Sequence, residues 1–237
     1  MRSVILFLFL SLALGCGVAF FLEYMDDTVK TPEDLHDRLG LPVLGFVPRM
    51  EGMASAARGY KALVAFHEPS SSASEAYRNI RTSLFFSAPA EELKTVVVTS
   101  AAPGEGKTQT ACNLAAIIAQ SGKRALLIDA DFRKPMIHRI AEISRDVGLS
   151  NVLARNAQWR EVIQKFKLHG EPVENLDIVT AGPTPPNPAD LLNSERMRRF
   201  LLEAKEEYDL IVIDTPPALF VTDASILSAE SDGVILV

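Results

Sequence analysis

Cysteine, histidine and tryptophan are scarce in this chain of 237 residues, and an excess of positive charge is absent. The two cysteines, Cys16 and Cys112, stand in very different contexts, so they indicate no disulfide framework, and a reducing compartment suits Cys112. The four histidines show no metal-ligand spacing. The formal net charge of −6 argues against a surface that coats nucleic acid, and we expect no nucleic-acid partner.

The longest apolar run, residues 4–22, contains no charged residue. Nineteen residues at about 1.5 Å each nearly match a hydrocarbon core of about 30 Å, so we predict one transmembrane helix within residues 1–25. A cleaved signal peptide is an alternative, because Leu14-Gly15-Cys16 partly resembles a lipoprotein cleavage site, but the apolar run continues beyond Cys16. A buried core helix is a second alternative, although it would carry a polar stripe and none is visible.

Residues 101–108 read Ala-Ala-Pro-Gly-Glu-Gly-Lys-Thr and directly follow the apolar run Val96-Val97-Val98. This order of strand, glycine-bearing loop and helix start is typical of a phosphate-binding loop, whose backbone N–H groups and helix N-terminus surround an anion. Lys107 can reach the β- and γ-phosphates, and Thr108 offers a hydroxyl to Mg²⁺. The alternative is an ordinary glycine turn. We expect the nucleotide to be bound by Pro103, Gly104, Glu105, Gly106, Lys107, Thr108 and Gln109.

Three aspartates follow apolar runs, with Asp129 and Asp131 after one run and Asp214 after another. The carboxyl ends of parallel strands share one edge of a sheet, so these acids are expected to converge on the phosphate-binding loop. An acid at a strand end is often a helix cap, but three beside such a loop favour a function. We expect Thr108, Asp129 and Asp214 to hold Mg²⁺, directly or through water.

From Lys94 onward, apolar runs alternate with helical stretches, which indicates a parallel sheet covered on both faces. We therefore predict an α/β fold with a doubly wound, mainly parallel sheet of the P-loop NTPase type, after one N-terminal transmembrane helix. The predicted strands are 94–100, 124–130, 176–180, 209–214 and 233–237, and the predicted helices are 107–121, 188–206 and 222–230. The last strand run ends the sequence without a crossover helix, so we expect this domain to be incomplete at its C-terminal end.

Before this domain, a juxtamembrane segment is expected at 26–50, with a short helix near 32–39 that starts at a capping box. Residues 51–74 are rich in alanine, serine and glycine, and we predict a flexible linker there. The P-loop domain would then occupy 75–237, beginning with a helix to about Phe86. Asn187-Pro-Ala-Asp190 is interpreted as a capping box and Asp223 as a helix cap.

These motifs carry a resemblance. Residues 101–108, Ile128-Asp-Ala-Asp-Phe-Arg133 and Ile213-Asp-Thr-Pro-Pro217 resemble the three Walker motifs of the bacterial tyrosine kinase (BY-kinase) family. The resemblance implies ATP-dependent transfer of a phosphoryl group to tyrosine with Mg²⁺. Lys107 would neutralise phosphate charge, Asp129 or Asp131 would deprotonate the tyrosine, and Asp214 would hold the water shell of the metal. Arg133 would be a candidate for stabilising the transferred charge.

Two further segments extend the resemblance. Glu75-Ala-Tyr-Arg78-Asn-Ile-Arg81 matches an element by which the family contacts a neighbouring subunit in a ring, although the same residues could form a solvated charged helix. The N-terminal part, in which the apolar run is followed by Asp26-Asp-Thr-Val-Lys-Thr-Pro-Glu-Asp34 and then Leu39-Gly-Leu-Pro-Val-Leu-Gly45, resembles the last membrane helix and following stretch of polysaccharide co-polymerase (chain-length determinant) proteins. The resemblance implies a single-pass protein of the inner membrane with a cytoplasmic kinase domain, and as partners a ring of its own copies and the polysaccharide export machinery.

Two departures and two rival functions remain open at this point. The large extracytoplasmic domain of co-polymerases is absent from this sequence, as is the tyrosine cluster that the kinases phosphorylate; the four tyrosines are scattered. One rival is a partitioning-type P-loop ATPase, although such ATPases carry a lysine where this chain has Ala102. The other is a membrane-tethered scaffold that binds nucleotide only to set assembly.

Overall fold

The structure is a computed structural model that describes residues 2–25, 40–48, 63–89, 91–168 and 171–237. It divides into two compact units, residues 1–43 and 44–237. The helix predicted near 32–39 and the first part of the predicted linker, up to residue 62, lie outside the described residues. The two cysteines are free thiols, Cys16 exposed and Cys112 buried.

In the first unit, helix α1 covers Arg2–Tyr24. Its segment Val4–Tyr24 has a mean hydropathy of 2.6 and is long and apolar enough to cross a membrane. Large apolar side chains such as Phe20 and Leu14 are exposed along it, with no buried stripe against other protein. A signal sequence shares these properties, so α1 is a candidate membrane span by length and composition.

The second unit carries the sheet and its helices. The strands are β1 (Thr95–Thr99), β2 (Ala125–Asp129), β3 (Ile163–Leu168), β4 (Glu171–Val179), β5 (Leu210–Asp214) and β6 (Gly233–Leu236). The helices are α2 (Val64–His67), α3 (Ser72–Ser87), α4 (Lys107–Gln120), α5 (Ile137–Ile140), α6 (Leu149–Leu153), α7 (Pro188–Leu192), α8 (Glu195–Glu207) and α9 (Asp223–Ala229), with a 3₁₀ turn at Trp159–Val162.

The six strands form one sheet in the order β3-β4-β2-β5-β1-β6. All neighbours are parallel except β3, which runs antiparallel to β4 at the edge. Strands β1, β2 and β5 are buried at every residue, because helices cover both faces of the sheet. The predicted mainly parallel α/β sheet is thereby confirmed.

Strand β3 was not predicted from the sequence. Its side chains alternate, with Phe166 buried between exposed Lys165 and Lys167, because one face of this edge strand meets solvent. Long apolar runs in a sequence mark strands that are buried on both faces. A half-exposed strand carries a weaker pattern.

The flexible linker predicted for 51–74 extends too far, because its described part, from residue 63, is packed. Val64 and Ala65 in α2 are fully buried, and the Ala65 N–H donates to Oδ1 of Asn113 at 3.0 Å. The Ser74 hydroxyl donates to the Val64 carbonyl at 2.9 Å. Small residues in this stretch permit close packing against α4. Helix α3 starts at Ser72, where the side chain of Ser71 caps it.

The single helix predicted for 188–206 is two helices. Helix α7 ends at Leu192, and α8 begins at Glu195 after Ser194, whose hydroxyl accepts from the Met197 N–H. Ser194 is therefore an N-cap within an otherwise helical pattern. The side chain of Asn187 makes no cap hydrogen bond at the start of α7, so the capping box expected from Asn187 to Asp190 is not formed.

Candidate functional site

The loop between β1 and α4 has the backbone of a phosphate-binding loop. Gly104 and Gly106 have φ values of 89° and 96°, a region that side chains rarely adopt, although a Cβ atom would meet no neighbour at either position. Gly106 stands at the N-cap of α4, so the free N–H groups of the first turn border the loop. Glu105 braces the loop, because its Oε2 accepts from the Ala102 N–H at 2.7 Å.

Lys107, the first residue of α4, reaches the turn that follows β2. Its Nζ lies 3.4 Å from Oδ2 of Asp131, and both side chains are mostly shielded from solvent, with exposures of 14% and 4%. This pair connects the phosphate-binding loop to the second motif, residues 128–133, which contains Asp129 and Asp131. Thr108 and Gln109 follow Lys107 in the first turn of α4, and Pro103 lies exposed in the loop.

The two acids of the second motif have different surroundings. Asp129 accepts from the N–H groups of Asp131 at 3.3 Å and Ile137 at 3.1 Å, and it is fully buried. Oδ1 of Asp131 accepts from the N–H groups of Arg133 at 3.2 Å and Lys134 at 2.9 Å, which leaves Oδ2 facing Lys107. Asp129 therefore anchors the turn, and Asp131 presents a carboxylate oxygen beside Lys107.

Asp214, at the end of β5, is fully buried, and neither of its carboxylate oxygens accepts a hydrogen bond of normal geometry from the described residues. Burial raises its pKa to about 7, although Lys107 and the Thr108 hydroxyl close to it work in the opposite direction. Two unsatisfied oxygens in a buried carboxylate are costly unless a cation or donor joins them.

Asp129 and Asp214 stand directly opposite each other in the register of β2 and β5. Burial raises the pKa of Asp129 well above its usual value, and the neighbouring Asp214 raises it further. Two buried carboxylates side by side disfavour each other's charge, so this end of the sheet favours a positive group placed between them and the loop.

The oxygen atoms here fit Mg²⁺ as a companion of a nucleotide. Within the described ranges, no cluster of three or more Asp, Glu, His or Cys side chains could hold a metal alone. Mg²⁺ usually takes one or two protein oxygens together with phosphates and water, and Thr108 with Asp214 can supply that contribution. Asp129 is less suited to bind Mg²⁺ directly, since each of its carboxylate oxygens already accepts a hydrogen bond from a backbone N–H.

Arg133 forms an ion pair with Asp223. Its Nε and Nη2 lie 3.0 and 3.2 Å from the carboxylate oxygens of Asp223, which is fully buried. Asp223 is the first residue of α9, and Thr222 stands at the cap position, so the interpretation of Asp223 as a cap is wrong. This pair was not predicted from the sequence. The two residues are ninety positions apart, and the residues around each give no sign of the other.

Glu75, Arg78 and Arg81 on α3 make ion pairs and hydrogen bonds within this chain. Glu75 and Arg78 form an ion pair, and Arg78 also donates to the Pro69 carbonyl at 2.8 Å. Arg81 donates to the Ile117 carbonyl of α4 at 3.3 Å. Glu75 and Arg78 therefore pair with each other at the surface, whereas Arg81 binds α4. The contact between subunits of a ring stays a prediction.

Comparison with known proteins adds to this geometry. A family model described as an AAA domain matches residues 93–237. The tyrosine-protein kinase YwqD of Bacillus subtilis is 45% identical over 175 residues, which cover 74% of this chain and 72% of YwqD. The tyrosine-protein kinase Etk of Escherichia coli K12 is 34% identical over 250 aligned residues, which take in 99% of this chain, α1 included, and 34% of Etk.

Solved structures show the same relationship. The kinase domain of the Escherichia coli tyrosine kinase ETK superimposes with a TM-score of 0.80 at 37% identity, covering 89% of this chain and 82% of that one. The cell division ATPase MinD of Pyrococcus furiosus superimposes with a TM-score of 0.52 at 21% identity, covering 61% of this chain and 58% of that one, which shows a shared fold alone. This chain spans most of YwqD and about a third of Etk.

Proposed function

Because this chain belongs to the family of bacterial tyrosine-protein kinases, we propose that it transfers the γ-phosphoryl group of Mg-ATP to a tyrosine hydroxyl. The observation that carries the proposal is the meeting of Lys107, Asp131 and Asp214 beside one phosphate-binding loop. A lysine at a phosphate-binding loop, an acid to accept a proton and an acid beside a metal ligand are the groups that phosphoryl transfer requires.

The proposed reaction proceeds as follows. Asp131 accepts the tyrosine proton as the phenolic oxygen forms a bond to the γ-phosphorus, and the bond from that phosphorus to the β–γ bridging oxygen breaks to release ADP. Lys107 and the N–H groups of the loop neutralise charge on the β- and γ-phosphates. Thr108 and Asp214 would hold Mg²⁺, which would supply further neutralisation of the phosphate oxygens.

This proposal narrows the roles that the resemblance implied. Asp131 is the better proton acceptor, because both oxygens of Asp129 are occupied by amide donors in the turn. Arg133 is assigned no contact with the transferred phosphoryl group, because Asp223 binds its guanidinium. The partitioning-type ATPase is not favoured, since the relatives YwqD and Etk are named tyrosine kinases and Ala102 replaces the lysine of that class.

The setting that we propose is the inner membrane. Helix α1 would anchor the chain in a single pass, and the P-loop domain would lie in the cytoplasm, where ATP is available. The resemblance of the N-terminal part to co-polymerase proteins supports a role in exopolysaccharide or capsule synthesis, with the export machinery as partner. A ring of subunits joined through Glu75, Arg78 and Arg81 belongs to the same proposal.

The test is Lys107→Met in the full chain, purified in detergent and supplied with Mg-ATP and a peptide that contains one tyrosine. We expect phosphotyrosine formation to fall at least about 100-fold, because the variant loses the cation that stabilises transferred charge. Lys123→Met, beyond the other end of α4, is the matched control and should keep wild-type activity. Undiminished phosphorylation in Lys107→Met would contradict the proposal, as would ATP hydrolysis without phosphotyrosine in the unmodified chain.

A further inference from the structure

A cavity of about 410 Å³ lies beside the loop that follows β4, outside the site described above. It is open between that loop, α6 and α7. The walls combine the apolar faces of three prolines with polar side chains. Among the lining residues are Asn151, Asn156, Thr184, Asn187, Asp190 and Leu191.

The sheet order places this cavity on the far side of the catalytic acids from the phosphate-binding loop. Along the carboxyl edge, β1 leads into that loop, β5 ends at Asp214, β2 ends at Asp129, and β4 leads into the cavity wall. Val179 pairs with Ile128, so Thr180 leaves the sheet beside Asp129. The phosphate-binding loop and the cavity therefore lie on opposite sides of the acids along this edge of the sheet.

Three polar side chains of the cavity wall are available to a ligand. Thr184, Asn187 and Asp190 make no side-chain hydrogen bond or ion pair with any residue that the structure describes, and all three are exposed. Asn187 and Asp190 belong to the segment that the sequence indicated as a capping box, and the structure leaves that segment without a capping role.

The base of the cavity is preformed. The Leu149 and Ser150 N–H groups donate to the Thr180 and Ala181 carbonyls at 2.8 and 3.0 Å, which fixes α6 against the loop. Gly148 packs so closely that an added Cβ would lie 2.2 Å from the Thr180 carbonyl oxygen. A wall held in this way loses little conformational freedom when a ligand binds.

We propose that this cavity binds the residues flanking the acceptor tyrosine, so that the ring of that tyrosine points back toward Asp131. The inference rests on the proposed kinase function. Pro183 is three residues beyond Thr180, so the two are separated by at most about 11 Å, which a peptide of a few residues can also span. Thr184 and Asn187 bind the peptide backbone, and the prolines give flat apolar contacts. Asp190, the one charged lining residue, selects a lysine or arginine beside the tyrosine.

The experiment measures steady-state kinetics of the full chain in detergent with two nine-residue peptides. Each carries one central tyrosine, flanked by lysine in one peptide and by glutamate in the other. Asp190→Lys should raise KM for the lysine peptide and lower KM for the glutamate peptide, each by about three- to tenfold. The double variant Thr184→Ala, Asn187→Ala should raise both peptide KM values about tenfold, because two hydrogen bonds are lost. KM for ATP should stay unchanged in both variants.

Asn193→Ala is the matched control, since Asn193 lies just past the end of α7 outside the cavity wall. It should leave both peptide KM values unchanged. Unchanged peptide KM values in the Asp190 and double variants, in a chain that phosphorylates tyrosine, would overturn this inference while leaving the kinase proposal intact. A change in subunit assembly by light scattering without a change in peptide KM would also overturn it, in favour of a subunit contact.

Discussion

The guanidinium of Arg133 is held by the fully buried carboxylate of Asp223 through two hydrogen bonds, of 3.0 and 3.2 Å. This pair joins the turn after β2 to the start of α9, and the hydrogen bond with Asp223 is the main reason that the pKa of Arg133 is raised. The Arg133 N–H also donates to Asp131. The backbone that positions the proposed proton acceptor is therefore tied to a distant helix.

A double-mutant cycle on Arg133 and Asp223 tests this connection. Arg133→Ala should lower the free energy of unfolding by about 1–3 kcal/mol, because a buried carboxylate loses its partner. The double variant Arg133→Ala, Asp223→Ala should recover part of that loss, since no unpaired charge remains. Urea denaturation of the full chain measures both. Strictly additive effects of the two substitutions would show that the pair contributes no coupling.

The carboxylate of Asp214 makes stability depend on pH. Its pKa of about 7 in the folded chain lies above the value of about 4 expected when unfolded, so the folded state binds more protons between these values. The free energy of unfolding of the nucleotide-free chain should therefore fall as pH rises from about 4 to 7 through this group.

Asp214→Asn removes that charge. At pH 8 and in the absence of nucleotide, we expect the variant to melt a few degrees higher than the unmodified chain. The reason is that the variant has no carboxylate to desolvate at position 214. The stabilisation of the chain by Mg-ATP should fall in the same variant. Differential scanning calorimetry with and without Mg-ATP checks both. A lower melting temperature at pH 8 would argue against a costly charge at Asp214.

Asp131 and Asp129 should respond differently to the same substitution. Asp131→Asn keeps an oxygen that can accept from the Arg133 and Lys134 N–H groups, so we expect normal stability with kcat lowered at least about 100-fold. Asp129→Asn keeps only one acceptor oxygen for two amide donors, so it should lower the melting temperature as well. Kinase assays with thermal melts separate the two cases. Equal stability losses in both variants would contradict the assignment.

Arg78 and Arg81 on α3 should also differ. Arg81 donates to the Ile117 carbonyl, so Arg81→Ala should lower the melting temperature by a few degrees. Arg78 is held at the surface by Glu75 and the Pro69 carbonyl, and Arg78→Glu should weaken the predicted ring with little effect on stability. Analytical ultracentrifugation in detergent measures the assembly. Unchanged assembly in Arg78→Glu would count against a ring contact at this face.

Those parts of this protein that depend on neighbouring residues were predictable from local sequence. The phosphate-binding loop requires glycine where φ is positive, as at Gly104 and Gly106, and a helix that starts at Lys107, and all of this is written within eight residues. The buried strands β1, β2 and β5 are apolar along their whole length because both faces are covered. Such patterns follow from local geometry and burial.

The differences between the acids, and the partners of the remaining charged groups, follow from packing between residues that are distant in the sequence. Asp129 and Asp131 look alike in sequence, but the packing of α5 places the Ile137 N–H against Asp129 and leaves Asp131 to Lys107. Arg133 pairs with Asp223, and the side chains of Asn187 and Asp190 line a cavity, with no cap hydrogen bond from Asn187. A buried charge takes whichever partner the fold brings within hydrogen-bonding distance, and that partner can lie anywhere along the chain.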